Sequence, residues 1–378
     1  EAEAINQAGS LRMQAYRLAF TAEQGSQAVL EERVVTLERT LLSASLRSAL
    51  HRHGATELPA LHAGVLRHWQ QRMRPLLDAQ PPRLEEYRQE APEFVSELNV
   101  FVRTLQEASD ALGEDVGRLI KEGPKEALAL TTNTQPVMLV GAVAAWRIWL
   151  AEGGALPAAV AGHSLGEYSA LVAAGSLTLA QAAPLVRFRA QAMQDAVPVG
   201  VGAMAAILGL DPEAVKLGCA EAQALFAADS GEVVEAVNFN DAAQTVIAGS
   251  KAAVDKACEV LKAKGAKRAL PLPVSAPFHS SLMKPAAERL QQKLAETAFA
   301  LPQIPVLNNI DVAVETEVDR IRNALYRQAF GPVRWVESVR ALKARGISHI
   351  IECGPGKALT GMVKRIDAEL VAAAINDP

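Results

Sequence analysis

The pentapeptide Gly162-His163-Ser164-Leu165-Gly166 fits G-x-S-x-G, and it stands between the apolar run Ala158 to Ala161 and the helix-like stretch SALVAAG. A serine at a sharp strand-to-helix turn presents its hydroxyl as a nucleophile, and small flanking residues let the two backbone arms approach. The helix N-terminus then faces the reacting oxygen, where its dipole and the Leu165 N–H can stabilise an oxyanion. A serine hydroxyl is a poor nucleophile until a base takes its proton, so a histidine must arrive from elsewhere in the fold. The chain has seven. His51, His53, His62 and His68 fall in a helical region and read as solvated or packed helix surface. His163 adjoins the serine, so its ring points away from the hydroxyl and lines the pocket. His349 lies within the strand-like ISHII and reads as a core histidine. His279 remains, in the Pro/Ser-rich loop PVSAPFHSSLM, and is the candidate base.

The elements that must position these residues come in two styles. The first 103 residues hold twelve arginines and no lysine, against thirteen of each in the remaining 275, which marks a compositional boundary. Before it, apolar residues recur at three and four: Leu11, Ala15 and Leu18; Val34, Leu37, Leu41 and Ala44; Leu61, Val65, His68 and Trp69; Phe94, Leu98, Phe101 and Leu105. Such stripes predict amphipathic helices that bury one another in an all-α helical bundle over residues 1–104. Beyond about Leu105, short β-rich runs alternate with helices, the pattern of an α/β architecture. Strands are expected at Ala158–Ala161, Ile304–Leu307 and Ile347–Ile351. Residues 202–272 read strand, helix, strand, strand, helix, strand, which predicts a ferredoxin-like insert. The α/β core then comprises residues 105–201 and 273–378.

Composition narrows the function classes. With 38 Lys+Arg against 42 Asp+Glu, a net charge of −4, there is no broad basic field for nucleic acid or anionic lipid. Cys219, Cys258 and Cys353 are dispersed, so neither a disulfide framework nor a cysteine zinc site is expected, and a reducing, cytoplasmic setting fits. The longest apolar run, Val137 to Trp146, stops at Arg147, short of a membrane span. The opening EAEAINQAGS carries no signal-peptide pattern and no initiator Met, as in a processed chain or a fragment.

Several longer motifs carry a resemblance. GHSLGEYSALVAAG, the NFND...QTVIAGS segment, KRALPLPVSAPFHSSLMKPAA, VLNNID and IECGPGKALTGMVKRI, in that order, closely resemble bacterial malonyl-CoA:acyl carrier protein transacylases of fatty acid synthesis. The similarity runs from about Leu105 to the C-terminus. It implies an acyltransferase-type, α/β-hydrolase-like core with Ser164 as nucleophile, His279 as base and no metal or redox cofactor. It also implies malonyl-CoA and acyl carrier protein as partners. Arg189, in LVRFRAQAMQ, becomes the cation that pairs with the malonyl carboxylate, a role that suits a guanidinium fork. On the residues alone, a helix-surface arginine like its neighbour Arg187 is the simpler reading. The resemblance further implies that a backbone carbonyl orients the histidine, by position that of Gln328 in YRQAFGPVRW.

The amino-terminal segment resembles something else. AEAINQAGSLRMQAYRLA is similar to the P-box that opens the periplasmic four-helix sensor domain of nitrate/nitrite sensor histidine kinases. That resemblance implies anion binding at Arg12, with Arg17 as a second candidate, although solvated helix charges explain both equally. Transacylases of the resembled family begin with a strand ending in GQGSQ, whose glutamine N–H supplies half of the oxyanion hole. Here Glu23-Gln24-Gly25-Ser26-Gln27 has Glu for the first Gly, follows a helical P-box, and places Gln24 140 residues before Ser164. EQGSQ therefore reads as coincidence or a scar of fusion, and Gln24 is only a nominal oxyanion donor. The expectation is a chimera joined near Thr104-Leu105-Gln106, with impaired transacylase activity. Two rivals stay open: a serine thioesterase or esterase using the same elbow, and an anion-binding helical module fused to an inert scaffold.

Overall fold

The computed structural model describes residues 14, 15, 18, 27–41, 68–79, 83–198, 200–274 and 276–375. The expectations for Arg12, Arg17, Gln24, His51, His53 and His62 lie outside these residues. The amino-terminal part contains α1 (Gln27–Leu41), a π-helical turn (His68–Met73) that continues into α2 (Arg74–Asp78), and α3 (Leu84–Leu112). Helical spacing puts Val34 and Leu37 on one face of α1, and Tyr87, Ala91, Phe94 and Val95 on one face of α3. These residues bury with Ala15, Leu18, Trp69 and Met73 in a single cluster, which takes Ala15, Leu18, Val34, Leu37, Trp69 and Phe94 from the expected stripes, whereas Leu105 of the last stripe packs in the other core.

The 29-residue α3 then runs on into a second core without a break. Its Ala108 is buried in the main α/β cluster, and Leu105 and Leu112 pack against it. Arg147 fastens this part of the helix, donating to Thr104 Oγ1 at 3.1 Å and pairing with Glu107 at 2.7 Å. One helix therefore passes from the bundle core to the α/β core between Val95 and Thr104.

The α/β part opens with α4 (Val116–Glu122), α5 (Lys125–Ala129) and α6 (Thr131–Ala151). Next come β1 (Val160–Ala161), α7 (Gly166–Ala173) and α8 (Leu179–Asp195). A reciprocal capping box between Thr178 and Gln181 starts α8, the helix that carries Arg189. The insert follows as β2 (Gly202–Leu208), α9 (Pro212–Gln223), β3 (Val234–Asp241), β4 (Gln244–Ser250), α10 (Lys251–Ala263) and β5 (Arg268–Pro271). Its antiparallel sheet has the order β3-β4-β2-β5, and Val215, Cys219, Val254 and Leu261 of the two helices bury against Ala205, Ile207 and Ile247. This is the ferredoxin-like arrangement that the strand and helix order predicts. The chain returns through α11 (Lys284–Glu296), β6 (Val306–Leu307), α12 (Val318–Gln328), α13 (Trp335–Ala344), β7 (His349–Glu352), α14 (Ala358–Ile366) and β8 (Val371–Ala374).

The parallel part of the core is in two pieces. β1 pairs with β6, β7 pairs with β8, and among the described residues no ladder joins the pairs. The expected strands Ala158–Ala161 and Ile304–Leu307 pair over two residues each, Val160 with Val306 and Ala161 with Leu307, and the expected strand Ile347–Ile351 is found at His349–Glu352. Ile351 and Val371 are 39% and 52% exposed, although a central parallel strand ordinarily buries such residues on both faces. His349, expected in the core, is exposed and its Nδ1 meets Ser348 Oγ at 2.9 Å. Strand side chains stand on the faces of a sheet, so these residues reach solvent because, among the described residues, no element covers that face of the β7-β8 pair. No helix among the described residues is long and apolar enough to cross a membrane.

Candidate active site

The elbow forms where β1 gives way to α7. Ser164 adopts φ +51°, a left-handed conformation that a residue with a side chain holds only when its surroundings enforce it. Gly162 is sterically required: a Cβ there would lie 1.9 Å from the carbonyl carbon of Gly166. Gly166 is not, since a Cβ on it meets open space. The need for small residues on both sides of the serine thus holds on the strand side only. Leu165 is the residue just before α7, so its N–H belongs to the first turn, where amides have no intrahelical acceptor. It can face an oxyanion.

His279 meets the serine from 115 residues away in sequence. Its Nε2 lies 2.7 Å from Ser164 Oγ, and its Nδ1 lies 2.8 Å from the backbone carbonyl oxygen of Gln328. A carbonyl oxygen only accepts, so Nδ1 carries the hydrogen and Nε2 presents its lone pair to the serine hydroxyl. That tautomer is the one a general base needs. Burial, reinforced by the Arg189 charge, pushes the His279 pKa down to about 3, which keeps the imidazole neutral across the physiological range. His279 also has a positive φ, +65°, so both members of the pair sit in strained backbone.

Arg189 is 2% exposed, unlike Arg187, which pairs with Glu114 at the surface. Its Nη1 donates to Gln135 Oε1 at 2.6 Å, and its Nη2 donates to Gln328 Oε1 at 3.0 Å and to Ser164 Oγ at 3.1 Å. The guanidinium carbon stands 5.5 Å from the centre of the Tyr168 ring. Burial lowers the Arg189 pKa, with Tyr168 and Glu167 opposing, and a guanidinium remains charged through such a shift. A positive charge is therefore held beside the nucleophile, on a side chain that is itself buried. His163 turns away from Ser164, as its place in the elbow predicts: its Nε2 lies 2.9 Å from Asn240 Oδ1 and its ring 5.7 Å from that of Trp335.

Residues not singled out in the sequence complete the arrangement. Asn309 Oδ1 accepts from Ser164 N–H at 2.7 Å, and Asn309 Nδ2 donates to the Gly162 carbonyl at 2.7 Å. Glu167 Oε2 accepts from Asn309 N–H at 2.9 Å and from Gln328 Nε2 at 3.0 Å. Asn309 and Glu167 lie inside quoted motifs, VLNNID and GHSLGEY, but nothing local assigns them a task. Gln135, in TTNTQP, carries no signal. The structure thus gathers Ser164, Leu165, His279, Arg189, Gln328 and, at the edge, His163. Arg12 and Gln24 lie outside the described residues, and among the described residues no His, Cys, Asp and Glu cluster could hold a metal ion.

Two families match the chain. The family described as "Acyl transferase domain" matches residues 93–368, and "Type IV pili methyl-accepting chemotaxis transducer N-term" matches residues 1–94. The malonyl CoA-acyl carrier protein transacylase of Escherichia coli (strain K12) is 52% identical over 279 residues, 74% of this chain and 88% of that protein. Its counterpart from Salmonella typhimurium is 50% identical over 286 residues, 76% of this chain and 91% of that protein. The crystal structure of an acyl-carrier-protein S-malonyltransferase from Burkholderia pseudomallei 1710b shares 62% identity, with a TM-score of 0.71 over 74% of this chain and 89% of that one. With its serine–histidine pair and buried arginine, and with identity on this scale across most of its relatives' length, the chain belongs to the malonyl-CoA:acyl carrier protein transacylases of the acyl transferase family.

Proposed function

We propose that the chain moves a malonyl group from CoA to the pantetheine thiol of acyl carrier protein through a malonyl-Ser164 ester. The observation that carries this reading is the pairing of Ser164 Oγ with both His279 Nε2 and the Arg189 guanidinium. In the first half-reaction Ser164 Oγ attacks the thioester carbonyl carbon while its proton passes to His279 Nε2. The Leu165 N–H faces the resulting oxyanion, the C–S bond breaks, and the departing sulfur takes the proton from His279. In the second half-reaction the carrier thiol gives its proton to His279, attacks the ester carbonyl, and Ser164 leaves with that proton. Arg189 pairs with the distal carboxylate, which would exchange its present Nη2 contact with Ser164 for a carboxylate oxygen. The Gln328 carbonyl keeps His279 in the required tautomer, and His163 lines the pocket.

In the organisation we favour, residues 1–104 form the helical bundle, 105–201 and 273–378 the acyltransferase core, and 202–272 the ferredoxin-like subdomain. The handover within α3 supports a junction near Thr104-Leu105-Gln106, although the two family matches meet about ten residues earlier, at 93–94. We read the enzyme as impaired because EQGSQ departs from GQGSQ and lies 140 residues before Ser164. The match of residues 1–94 favours a sensor-derived bundle, and nitrate or nitrite binding at Arg12 is a separate reading that titration calorimetry tests.

Comparing CoA release in the presence and absence of acyl carrier protein tests the proposal against hydrolysis. Transfer predicts one malonylated carrier protein for each CoA released, and little release beyond the first turnover without carrier. Continued release of CoA and free malonate without carrier would identify a thioesterase.

A further inference from the structure

The two strained residues of the site are 115 positions apart, yet they meet at hydrogen-bonding distance, so something must hold the elbow in register with the loop that carries His279. Local structure supplies part of the restraint, through Glu167 N–H donating to the Ser164 carbonyl at 3.1 Å. The remainder comes from a side chain outside the elbow. Asn309, on the loop after β6, is fully buried, and its carboxamide ties the apex of the turn to the strand arm: it accepts from Ser164 N–H and donates to the Gly162 carbonyl. Each bond is 2.7 Å long. A single planar amide that grips both restrains the backbone from the end of the strand to the apex, where the positive φ of Ser164 lies.

Asn309 is itself anchored. Its backbone N–H donates to Glu167 Oε2, and the same oxygen accepts from Gln328 Nε2. Gln328 Nε2 also donates to the Ser164 carbonyl at 2.9 Å, while the Gln328 carbonyl holds His279 and its Oε1 holds Arg189. Glu167, 2% exposed, is thus the junction between the residue that shapes the elbow and the residue that places the base and the cation. A buried carboxyl is costly, and burial raises this one's pKa to about 7. A fold that keeps such a group at this point gains the geometry it enforces.

We propose that Asn309 and Glu167 are positioning residues for the transfer reaction: Asn309 clamps the strained elbow, and Glu167 locks that clamp to Gln328, so that Ser164 Oγ stays within reach of His279 Nε2. The inference rests on the reading that Ser164 and His279 perform the chemistry. Neither side chain makes a hydrogen bond to Ser164 Oγ, His279 or Arg189. Their loss acts through distance and angle, where a misplacement of about 1 Å costs on the order of 100-fold in rate.

The test uses the full-length chain and a small, uncharged fluorophosphonate, which reacts with an activated serine and makes no demand on Arg189. The wild type is labelled at Ser164, with Ser164→Ala as the blank. Asn309→Asp, assayed above about pH 9 so that the buried carboxyl is ionised, keeps an acceptor for Ser164 N–H and turns a carboxylate oxygen toward the Gly162 carbonyl, so it opens the clamp with almost no change of volume. Its labelling rate falls about 10- to 100-fold, and malonyl transfer loses kcat by a similar factor while KM for malonyl-CoA stays within about twofold. Glu167→Ala shows the same pattern, and Glu167→Gln, which retains an acceptor oxygen for both donors, recovers most of the loss. Thermal melting confirms that the rates belong to folded protein, and Asn309→Ala serves as a second probe of the clamp. Labelling of folded Asn309→Asp at the wild-type rate overturns the clamp, as does a loss confined to melting temperature. Equal rates for Glu167→Ala and Glu167→Gln overturn the lock. Failure of wild-type Ser164 to label overturns instead the reading of the site on which the inference rests.

Discussion

Replacing Arg189 with alanine separates selection of a charged acyl group from catalysis itself. The guanidinium is 2% exposed, aims Nη2 at Ser164 Oγ and has a buried Nε that makes no hydrogen bond, so a malonyl carboxylate that replaces the serine contact and reaches Nε would gain two charge-assisted hydrogen bonds. At about 1.5 to 3 kcal/mol each, their loss costs roughly 3 to 6 kcal/mol, or about 10²- to 10⁴-fold in kcat/KM for malonyl-CoA. Acetyl-CoA has no carboxylate and makes neither bond, so its transfer holds or rises. The substitution has side effects that the structure also specifies. Gln135 Oε1 and Gln328 Oε1 lose their donor, which lowers stability by about 1 to 3 kcal/mol for each group left unpaired, so the rates are taken well below the melting transition. The Arg189 charge is one of the causes that depress His279, so its removal raises the His279 pKa, while burial, the larger cause, still holds it below the ordinary histidine value. The assay is steady-state transfer from malonyl-CoA and from acetyl-CoA to acyl carrier protein. Equal losses for the two donors would mean that Arg189 holds the fold and does not read the substrate.

The remaining predictions are briefer. Because burial keeps His279 neutral down to about pH 3, kcat/KM for malonyl-CoA shows no histidine titration near pH 6.5, and a clear inflection there would contradict the assigned base. Glu167 has its pKa raised from 4.5 to about 7, so its stabilising contribution is full below pH 4.5 and is lost as pH rises through 7. Thermal melts should therefore show Glu167→Gln gaining on the wild type between pH 5 and 8.5, by at most about 3 kcal/mol, and parallel curves would contradict the buried carboxyl. Exchanging residues 1–104 for the family's amino-terminal strand and helix should raise transfer by about 10²- to 10³-fold, the usual cost of one oxyanion donor. Equal rates before and after the exchange would show that the chain already has its second donor.

Local chemistry was legible in the sequence, and long-range assembly was not. The elbow is contiguous, and the period-two and period-3.6 patterns of residues 202–272 specify strands and helices from neighbouring side chains alone, so both appear where the residues predict. His279 emerged by elimination among seven histidines, and it meets Ser164 as that elimination requires. Arg189 and Arg187 are two residues apart on one helix, and only the tertiary packing of α6 and α12 makes one buried and the other a surface partner of Glu114. Asn309 and Ser164 are 145 positions apart and carry no shared local pattern, so their contact could not be read ahead of the fold. The strand expectations overran for a related reason: an apolar run states that a strand is possible, whereas its paired length depends on a neighbour. Val160–Ala161 meets β6 over two residues, whereas His349–Glu352 meets β8 over four, a difference set by how each chain runs on past its partner.

The central claim is that a malonyl group rests on Ser164 between the two half-reactions. Rapid mixing with malonyl-CoA, acid quenching and mass analysis of the intact chain, followed by peptide mapping, measures this directly. The predicted result is a single malonyl adduct on the peptide containing Gly162-His163-Ser164-Leu165-Gly166, discharged by acyl carrier protein and absent from Ser164→Ala. An adduct that persists in Ser164→Ala, or that maps to another residue, would contradict the account.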